Sequence, residues 1–198
     1  MIQETPITVR AVRKRTAPVR VILDIVRDGK THTFLINETT YLSFGEPRSG
    51  DALDEAAFEE IRFADERGRA VRCAVTILSY ADNSKELLRK KLFHRGFSPE
   101  ATEDAVREVV RLGYLSEQKQ ISSLVEGLCN VKLLGVRRMT GYLMSRGYAR
   151  ESIEEVYREF VEDGTIDPEE NFRKLLSRHH VSPDDKAKIR YMRYQYGY

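Results

Sequence analysis

The chain is poor in the residues and motifs that most catalytic and metal-binding sites require. It holds only two cysteines, Cys73 and Cys129, each beside apolar residues of a predicted helix. Two isolated thiols build neither a disulfide framework nor a metal site, so both are predicted to be small core residues. The histidines occur without an HExxH motif, and no glycine-rich phosphate loop, nucleophile elbow or kinase motif is present. The sequence therefore predicts no enzymatic activity, no metal and no cofactor.

Long apolar runs and an excess of one charge are also missing. The 198 residues are 32% charged, yet 33 basic and 31 acidic residues leave a net charge of only +2. Any affinity for a polyanion must therefore come from the distribution of charge rather than from its sum. No stretch approaches the length of a membrane span, and the first 18 residues lack the apolar core of a signal peptide. We therefore expect a cytoplasmic protein that does not interact with membranes.

What the chain does contain is an internal repeat. The segment that begins at Lys85 returns in outline at Val136, 51 positions later, and Gly96 and Gly147 follow the two copies of this helix. The same offset relates further pairs downstream, namely Leu88 and Met139, Leu92 and Leu143, Glu103 and Glu154, Val110 and Val161, and Gly113 and Gly164. The fold class predicted is mainly α, with tandem three-helix, helix-turn-helix-like repeats in an elongated array. Such a molecule recognises partners with its surface rather than with one buried pocket.

Local helix signals place the boundaries of the repeats. A capping box over residues 83–86 predicts the start of the repeated helix, and dipeptides that pair an N-cap residue with proline predict further starts at Ser98-Pro99, Asp167-Pro168 and Ser182-Pro183. The predicted repeats span residues 69–119 and 120–170, followed by an incomplete third repeat over 171–198.

The residues before the repeats predict a small α+β domain over 19–68. Alternating apolar residues over 19–25 predict a strand, and Asp28-Gly29 predicts the turn to a returning strand. A helix over 54–61 is expected to cover this β-hairpin. Gly68 is expected to separate the domain from the repeats.

A basic arm over residues 1–18 precedes this domain. It carries Arg10, Arg13, Lys14 and Arg15 without a neighbouring acid. Two interpretations stay open: a disordered or strand-edge segment, or an arm that binds phosphate groups.

Charge is sorted by helix within the repeats. The repeated helix is basic in both copies, whereas the helix after it is acidic. Stacked in register, the basic helices would form a stripe that is predicted to bind a protein partner or DNA. Alternatively, the charges provide solubility or pair with the acidic helices. The basic stripe is Lys85, Arg89, Lys90, Arg95, Arg137, Arg138, Arg146 and Arg150.

Tyrosines alternate with arginines near the end of the chain. Tyr191, Tyr194, Tyr196 and Tyr198 occur together with Arg190 and Arg193. Such residues either stack on single-stranded bases or form the core side of an amphipathic helix. We prefer the core interpretation.

Several short motifs follow one another in a fixed order. They are Lys85-Glu86-Leu87, Lys91-Leu92, Gly96-Phe97, Gly113-Tyr114-Leu115-Ser116-Glu117, Gly135-Val136-Arg137-Arg138-Met139 and Arg146-Gly147-Tyr148. Their order and spacing resemble those of the RecX family, the regulatory proteins of the RecA recombinase. The front end, with Tyr41-Leu42-Ser43-Phe44-Gly45, resembles the longer family members. The resemblance covers about residues 19–198.

The resemblance implies a regulatory protein of DNA recombination and repair without chemistry of its own. RecX-like proteins lie along the groove of the RecA filament on DNA, inhibit ATP hydrolysis and strand exchange, and promote loss of the filament. RecA and the RecA filament on single-stranded DNA are thus the implied partners, with weak non-specific DNA binding, and we expect a monomer. Two alternatives stay open: an autonomous helix-turn-helix-like DNA-binding protein and a helical-repeat adaptor for another protein.

Overall fold

The computed structural model describes residues 6–16 and 19–198, which form a small antiparallel sheet followed by helices. The strand order in the sheet is β3-β2-β1-β4. The strands are β1 (Ile7–Thr16), β2 (Val19–Arg27), β3 (Lys30–Asn37) and β4 (Ala52–Leu53). Over the described ranges, no helix combines the length and the apolar character needed to cross a membrane.

The helices make up most of the chain, so the mainly helical class is confirmed. They are α1 (Glu38–Ser43), α2 (Glu55–Tyr80), α3 (Lys85–Phe93), α4 (Pro99–Arg111), α5 (Glu117–Glu126), α6 (Val136–Ser145), α7 (Arg150–Glu162), α8 (Pro168–Arg178) and α9 (Lys186–Tyr196), with a π-helical turn at Gly127–Val131. α3, α4 and α5 begin 51 positions before α6, α7 and α8, respectively. The stacking of the repeats into one array stays a prediction.

The predicted β-hairpin is present and supplies the core of the N-terminal sheet. Asp28 and Gly29 adopt the left-handed conformation of the turn, with φ of 53° and 71°. Leu23 of β2 lies opposite Phe34 of β3, and both side chains are buried. Phe58 of α2 packs on this face of the sheet, as expected for the helix that covers the hairpin.

Most of the predicted basic arm is a strand of the sheet. β1 pairs antiparallel with β2 from Thr8 to Thr16, with one irregularity at the level of Arg10. Ile7 and Val9 are buried, and this burial joins the strand to the core. Residues 1–5 and 17–18, which complete the predicted arm, lie outside the described residues.

The chain has no break at Gly68, the residue predicted to separate the domain from the repeats, because α2 continues through it to Tyr80. Asp65 ties the helix to the edge of β3, where its Oδ1 accepts the N–H of Leu35 at 2.9 Å. A Cβ on Gly68 would lie 3.9 Å from the carbonyl oxygen of Leu35, so α2 passes close to the strand. Glycine inside a helix costs about 1 kcal/mol. The tertiary contacts of α2 offset that cost.

The chain divides into two compact units. The first comprises residues 1–77 and 91–111 and contains the sheet, most of α2, and α4. The second comprises residues 78–90 and 112–198 and contains the start of α3 and all of α5 to α9. One hydrophobic cluster of the second unit is built around Ile121, Val125, Met139, Leu143, Ile153 and Val156, and another around Leu133, Phe172, Leu175 and Met192. The predicted domain boundaries stay predictions.

Two predicted helix starts had different outcomes. α8 begins as expected at Pro168, and the side chain of Asp167 accepts the N–H of Glu170 at 2.9 Å. α9 does not begin at Ser182-Pro183 but at Lys186, because Asp185 provides the N-cap and accepts the N–H of Lys188 at 2.9 Å. The 51-residue period, counted from Val136, places this start within one residue.

Candidate interaction surface

The candidate site lies on α6, the second copy of the repeated helix. Met139, Thr140 and Leu143 face inward and are buried, in the spacing of one helix face. The opposite face therefore carries Arg137, Arg138 and Tyr142, all of which are exposed.

The C-terminal end of α9 contacts the N-terminal end of α6 through backbone hydrogen bonds. The N–H of Gly135 donates to the carbonyl oxygen of Tyr196 at 2.8 Å, and the N–H of Arg137 donates to that of Gly197 at 3.2 Å. These bonds satisfy N–H groups that have no partner within α6 itself. A Cβ on Gly135 would lie 2.4 Å from the carbonyl carbon of Gly197, so only glycine allows this approach.

The same kind of contact occurs one repeat earlier, between the end of α6 and the start of α3. Ser84 precedes α3 by one residue, at the position that Gly135 occupies before α6. Its hydroxyl donates to the carbonyl oxygen of Arg146 at 2.7 Å and accepts the N–H of Leu87 at 3.1 Å. A Cβ on Gly147 would lie 2.8 Å from the Ser84 Oγ. The close contact between helix ends is thus present twice within the second unit.

Arginine side chains of α6 add hydrogen bonds to the contact with α9. Arg137 and Arg138 donate to the carbonyl oxygens of Tyr194 and Gln195 at 2.9 and 2.8 Å, respectively. The Arg137 guanidinium also lies 5.0 Å from the centre of the Tyr194 ring. These side chains line an open cavity of about 490 Å³ together with Tyr142. At the other end of α6, the Arg146 guanidinium lies 4.9 Å from the Tyr142 ring.

These side chains form what we call the arginine–tyrosine surface: Arg137, Arg138, Tyr142, Arg146 and Tyr194. Within the described ranges, none of the three guanidinium groups lies within 4.0 Å of a carboxylate. Each keeps N–H donors for a ligand, and guanidinium remains charged at any physiological pH. Tyr194 is 73% exposed, so its ring is accessible for packing. The surface can therefore bind a group that presents carboxylates or phosphates beside apolar or aromatic atoms.

The other residues of the predicted basic stripe lie elsewhere or are engaged by carboxylates. The Lys85 Nζ lies 3.5 Å from Glu117, while Arg89 and Lys90 lie 3.9 and 3.4 Å from Glu86. Arg150 contacts Glu154 at 2.7 Å, and this hydrogen bond raises the pKa of the arginine. Arg95 belongs to the first unit and donates to the carbonyl oxygen of Lys91 at 3.3 Å.

The four cations of the predicted basic arm lie on β1, and three of them have individual partners. Arg13 pairs with Asp24 at 2.8 Å, and Lys14 lies 4.0 Å from Glu38 and 5.3 Å from the centre of the Tyr41 ring. Arg10 donates to the hydroxyl of Thr31 at 3.3 Å. Arg15 faces a cavity beside α2.

The core interpretation of the terminal tyrosines is wrong for two of the four. Tyr191 and Tyr194 are 61% and 73% exposed. Tyr196 and Tyr198 are half-buried: the first bonds His179 at 3.0 Å, and the second donates to the carbonyl oxygen of Leu133 at 3.2 Å. The helical period would have distinguished the exposed tyrosines from the half-buried ones, because buried Met192 marks the inner face of α9. Sequence reasoning missed Tyr142 altogether and did not assign Tyr194 to the site.

The Cys129 thiol is buried in the second unit. Burial raises the pKa of the Cys129 thiol to about 12, so the thiol is neutral at physiological pH. Cys73 is half-buried rather than part of the core, contrary to the expectation for it. In the described part of the chain, no group of three or more histidine, cysteine, aspartate or glutamate residues is placed to hold a metal ion.

Fold and surface together define a mainly helical protein with an N-terminal antiparallel sheet and an exposed arginine–tyrosine face. No family model matches the chain. Among curated proteins, it is 32% identical over 114 residues to "Regulatory protein RecX" of Trichlorobacter lovleyi, an alignment that covers 58% of this chain and 73% of the relative. It is 26% identical over 135 residues to the protein of the same name in Lactobacillus johnsonii, and 22% identical over 152 residues to that of Listeria welshimeri. These alignments cover 65% and 76% of this chain, but only 50% and 56% of those relatives.

The fold of the chain is also similar to that of solved RecX structures. A crystal structure of the regulatory protein RecX superposes with a TM-score of 0.67 at 19% identity and covers 94% of this chain and 89% of that one. RecX from Lactobacillus salivarius superposes with a TM-score of 0.58 at 19% identity, over 68% of this chain and 90% of that one. The chain belongs to the RecX family.

Proposed function

We propose that this chain binds the RecA recombinase and RecA filaments on single-stranded DNA, and thereby inhibits ATP hydrolysis and strand exchange and destabilises the filament. Membership of a family whose members are named as regulatory proteins supports the proposal. The resemblance of the sequence motifs to those of RecX supplies RecA as the partner. The proposed role requires no catalytic residue in this chain.

The observation that carries the proposal is the arginine–tyrosine surface on α6. Arginine and tyrosine are enriched at protein interfaces because they combine large contact areas with directional hydrogen bonds. Three arginines without a carboxylate partner have unused donors, which an acidic partner surface would engage. In the α3 copy, Lys85 and Lys90 contact Glu117 and Glu86, so these cations are less available to an acidic partner.

Steady-state ATP hydrolysis by the cognate RecA on single-stranded DNA tests the proposal. We expect the rate to fall as the protein is added, at ratios below one molecule per RecA, because repeated units can contact neighbouring subunits of a filament. An unchanged rate at a several-fold molar excess, with circular dichroism that shows a folded protein, would refute it.

Arg146→Glu tests whether inhibition of ATP hydrolysis depends on the arginine–tyrosine surface. The Arg146 side chain packs over Tyr142, and no side-chain hydrogen bond from it is present among the described residues, so the fold should tolerate the change. We expect the concentration for half-inhibition to rise roughly tenfold, the equivalent of about 1.4 kcal/mol. Arg158→Glu is the matched control, because Arg158 is exposed on α7 and gives the same charge change. Equal effects of both variants would assign inhibition to net charge rather than to this surface.

Direct DNA binding is the second candidate, since arginines and exposed tyrosines also suit phosphates and bases. Fluorescence anisotropy of labelled oligonucleotides without RecA distinguishes direct DNA binding from action through RecA. We expect weak binding that is independent of sequence and decays steeply with salt. Tight binding to one defined duplex at physiological salt would instead favour an autonomous DNA-binding protein.

A further inference from the structure

Four arginines of the first unit lie beside its sheet, two of them on neighbouring strands and two on α2. Arg15 of β1 and Arg20 of β2 are directly opposite each other in the antiparallel register. Arg69 and Arg72 lie on α2, about one helical turn apart. Like charges that face each other across a strand pair are unfavourable. The arrangement therefore calls for a compensating anion.

The carboxylate beside these arginines cannot compensate all of them. Asp65 is buried, and its Oδ1 accepts the N–H of Leu35 at 2.9 Å while its Oδ2 accepts from Arg69 Nε at 2.8 Å. Both oxygens are thus engaged, so Asp65 has no oxygen left to accept from Arg15, Arg20 or Arg72. In the described part of the chain, Arg15, Arg20 and Arg72 have no carboxylate within 4.0 Å.

Like Arg20, Arg72 is half-buried. Burial lowers its pKa most, followed by repulsion from Arg20; Asp65 acts in the opposite direction, and Arg69 lowers the pKa further. A partly desolvated guanidinium that faces other guanidinium groups is costly unless an anion replaces the lost water. The side chain borders a cavity of about 550 Å³, which Arg15, Ile22 and Leu35 also line. It borders a second cavity together with Arg20. The carboxylates that also line this cavity are those of Glu60, Asp104 and Glu108, and the last two pair with Arg107 and Arg111, respectively.

We propose that this cluster is a binding site for a phosphate group, with Arg20 and Arg72 as its principal ligands and Arg15 at its rim. Guanidinium groups bind phosphate oxygens in a bidentate manner. A dianion suits the site better than a single carboxylate, because three arginines are uncompensated. The phosphate belongs either to a small phosphorylated molecule or to a nucleic-acid backbone. The site is separate from the arginine–tyrosine surface and does not depend on the proposed action on RecA.

Titration with inorganic pyrophosphate at constant ionic strength tests the site in the full chain. NMR spectra of the arginine Nε–Hε groups should show saturable shifts for Arg20 and Arg72. Calorimetry should show one site, and Arg20→Gln or Arg72→Gln should weaken binding at least about tenfold. Arg158→Gln, which removes one exposed charge from the second unit, should leave binding unchanged.

A parallel titration with a single-stranded oligonucleotide identifies the source of the phosphate. Tighter binding of the oligonucleotide than of pyrophosphate, lost in Arg72→Gln, assigns the site to a nucleic-acid backbone. Equal or weaker binding, also lost in that variant, assigns it to a small phosphorylated ligand. The proposal is overturned if the Arg20 and Arg72 signals do not move, or if the wild type, both cluster variants and Arg158→Gln bind pyrophosphate alike. The NMR result stands even if a variant fails to fold.

Discussion

The starts of α3 and α6 occupy equivalent positions in two copies of one repeat, yet they differ in their side-chain partners. Both receive the end of a later helix: that of α6 contacts Ser84, and that of α9 contacts Gly135. At α3, Lys85 contacts Glu117, and Glu86 attracts two further cations. At α6, Arg137 and Arg138 contact carbonyl oxygens instead.

The comparison separates what the repeat requires from what it leaves variable. The close approach of helix ends recurs because glycine or a small side chain occupies the contact in both copies. The charged residues around it are not under that steric constraint. One copy has therefore neutralised its cations with carboxylates, while the other leaves its arginines able to bind an external acidic group.

Gly135→Ala should have the largest effect, because it breaks the helix-end contact in the second copy. The new methyl group would overlap the backbone of Gly197 at 2.4 Å, so α9 would have to move. We expect a loss of about 3 kcal/mol or more in the free energy of unfolding, as for severe overpacking. Chemical denaturation measures the loss, and hydrogen exchange should show faster exchange in α9.

Gly141→Ala is the matched control, since nothing lies within 4 Å of a Cβ at this exposed position of α6. It should raise the free energy of unfolding by about 0.5–1 kcal/mol, because alanine has the higher helix propensity. Similar destabilisation by both variants would contradict the steric explanation.

Ser84→Ala tests the equivalent contact in the first copy and should have a smaller effect. It removes the hydroxyl that caps Leu87 and donates to Arg146, but it causes no overlap. We expect a loss of about 1–2 kcal/mol by thermal or chemical denaturation. Ser145→Ala, at an exposed serine that bonds within α6, should change stability by less than about 0.5 kcal/mol. A loss for Ser84→Ala as small as for this control would show that the first copy does not depend on the contact.

Alkaline pH should cause the smallest loss of stability among these tests. It compares the two copies because the second has a core residue that titrates, whereas the first has none at the equivalent position. The pKa of Cys129 rises from an ordinary 9.0, and that of Tyr198 from 10.0, each to about 12, chiefly because of burial. Since the folded-state values are raised, the stability from these neutral groups is complete below about pH 9 and is lost as the pH rises towards 12. Leu78, one repeat before Cys129, cannot titrate.

Urea unfolding followed between pH 8 and about 11 measures this loss. Cys129→Ala should reduce the dependence on pH, whereas Cys73→Ala serves as the matched control. An identical pH slope for the wild type and Cys129→Ala would contradict the assigned origin.

Helix positions could be predicted from the sequence, because their signals are local. Asp167-Pro168 begins α8 as expected, and Asp28-Gly29 forms the hairpin turn. Ser182-Pro183 predicted the wrong start for α9, because Asp185 lies three residues before Lys188 and acts as the N-cap instead. The RecX resemblance likewise followed from motif order within the sequence.

Contacts between distant residues were decided only by the tertiary structure. β1 is held by pairing along β2 and by burial of Ile7, and α2 continues past Gly68 because it packs against β3. The sequence by itself determined the helices, their 51-residue period and the surplus of arginine in the repeated helix. It could not show that Arg137 lies beside Tyr194, or that Arg20 and Arg72 line one cavity. Local signals fix backbone conformation, whereas the partner of a charged side chain depends on which distant segments the buried core brings together.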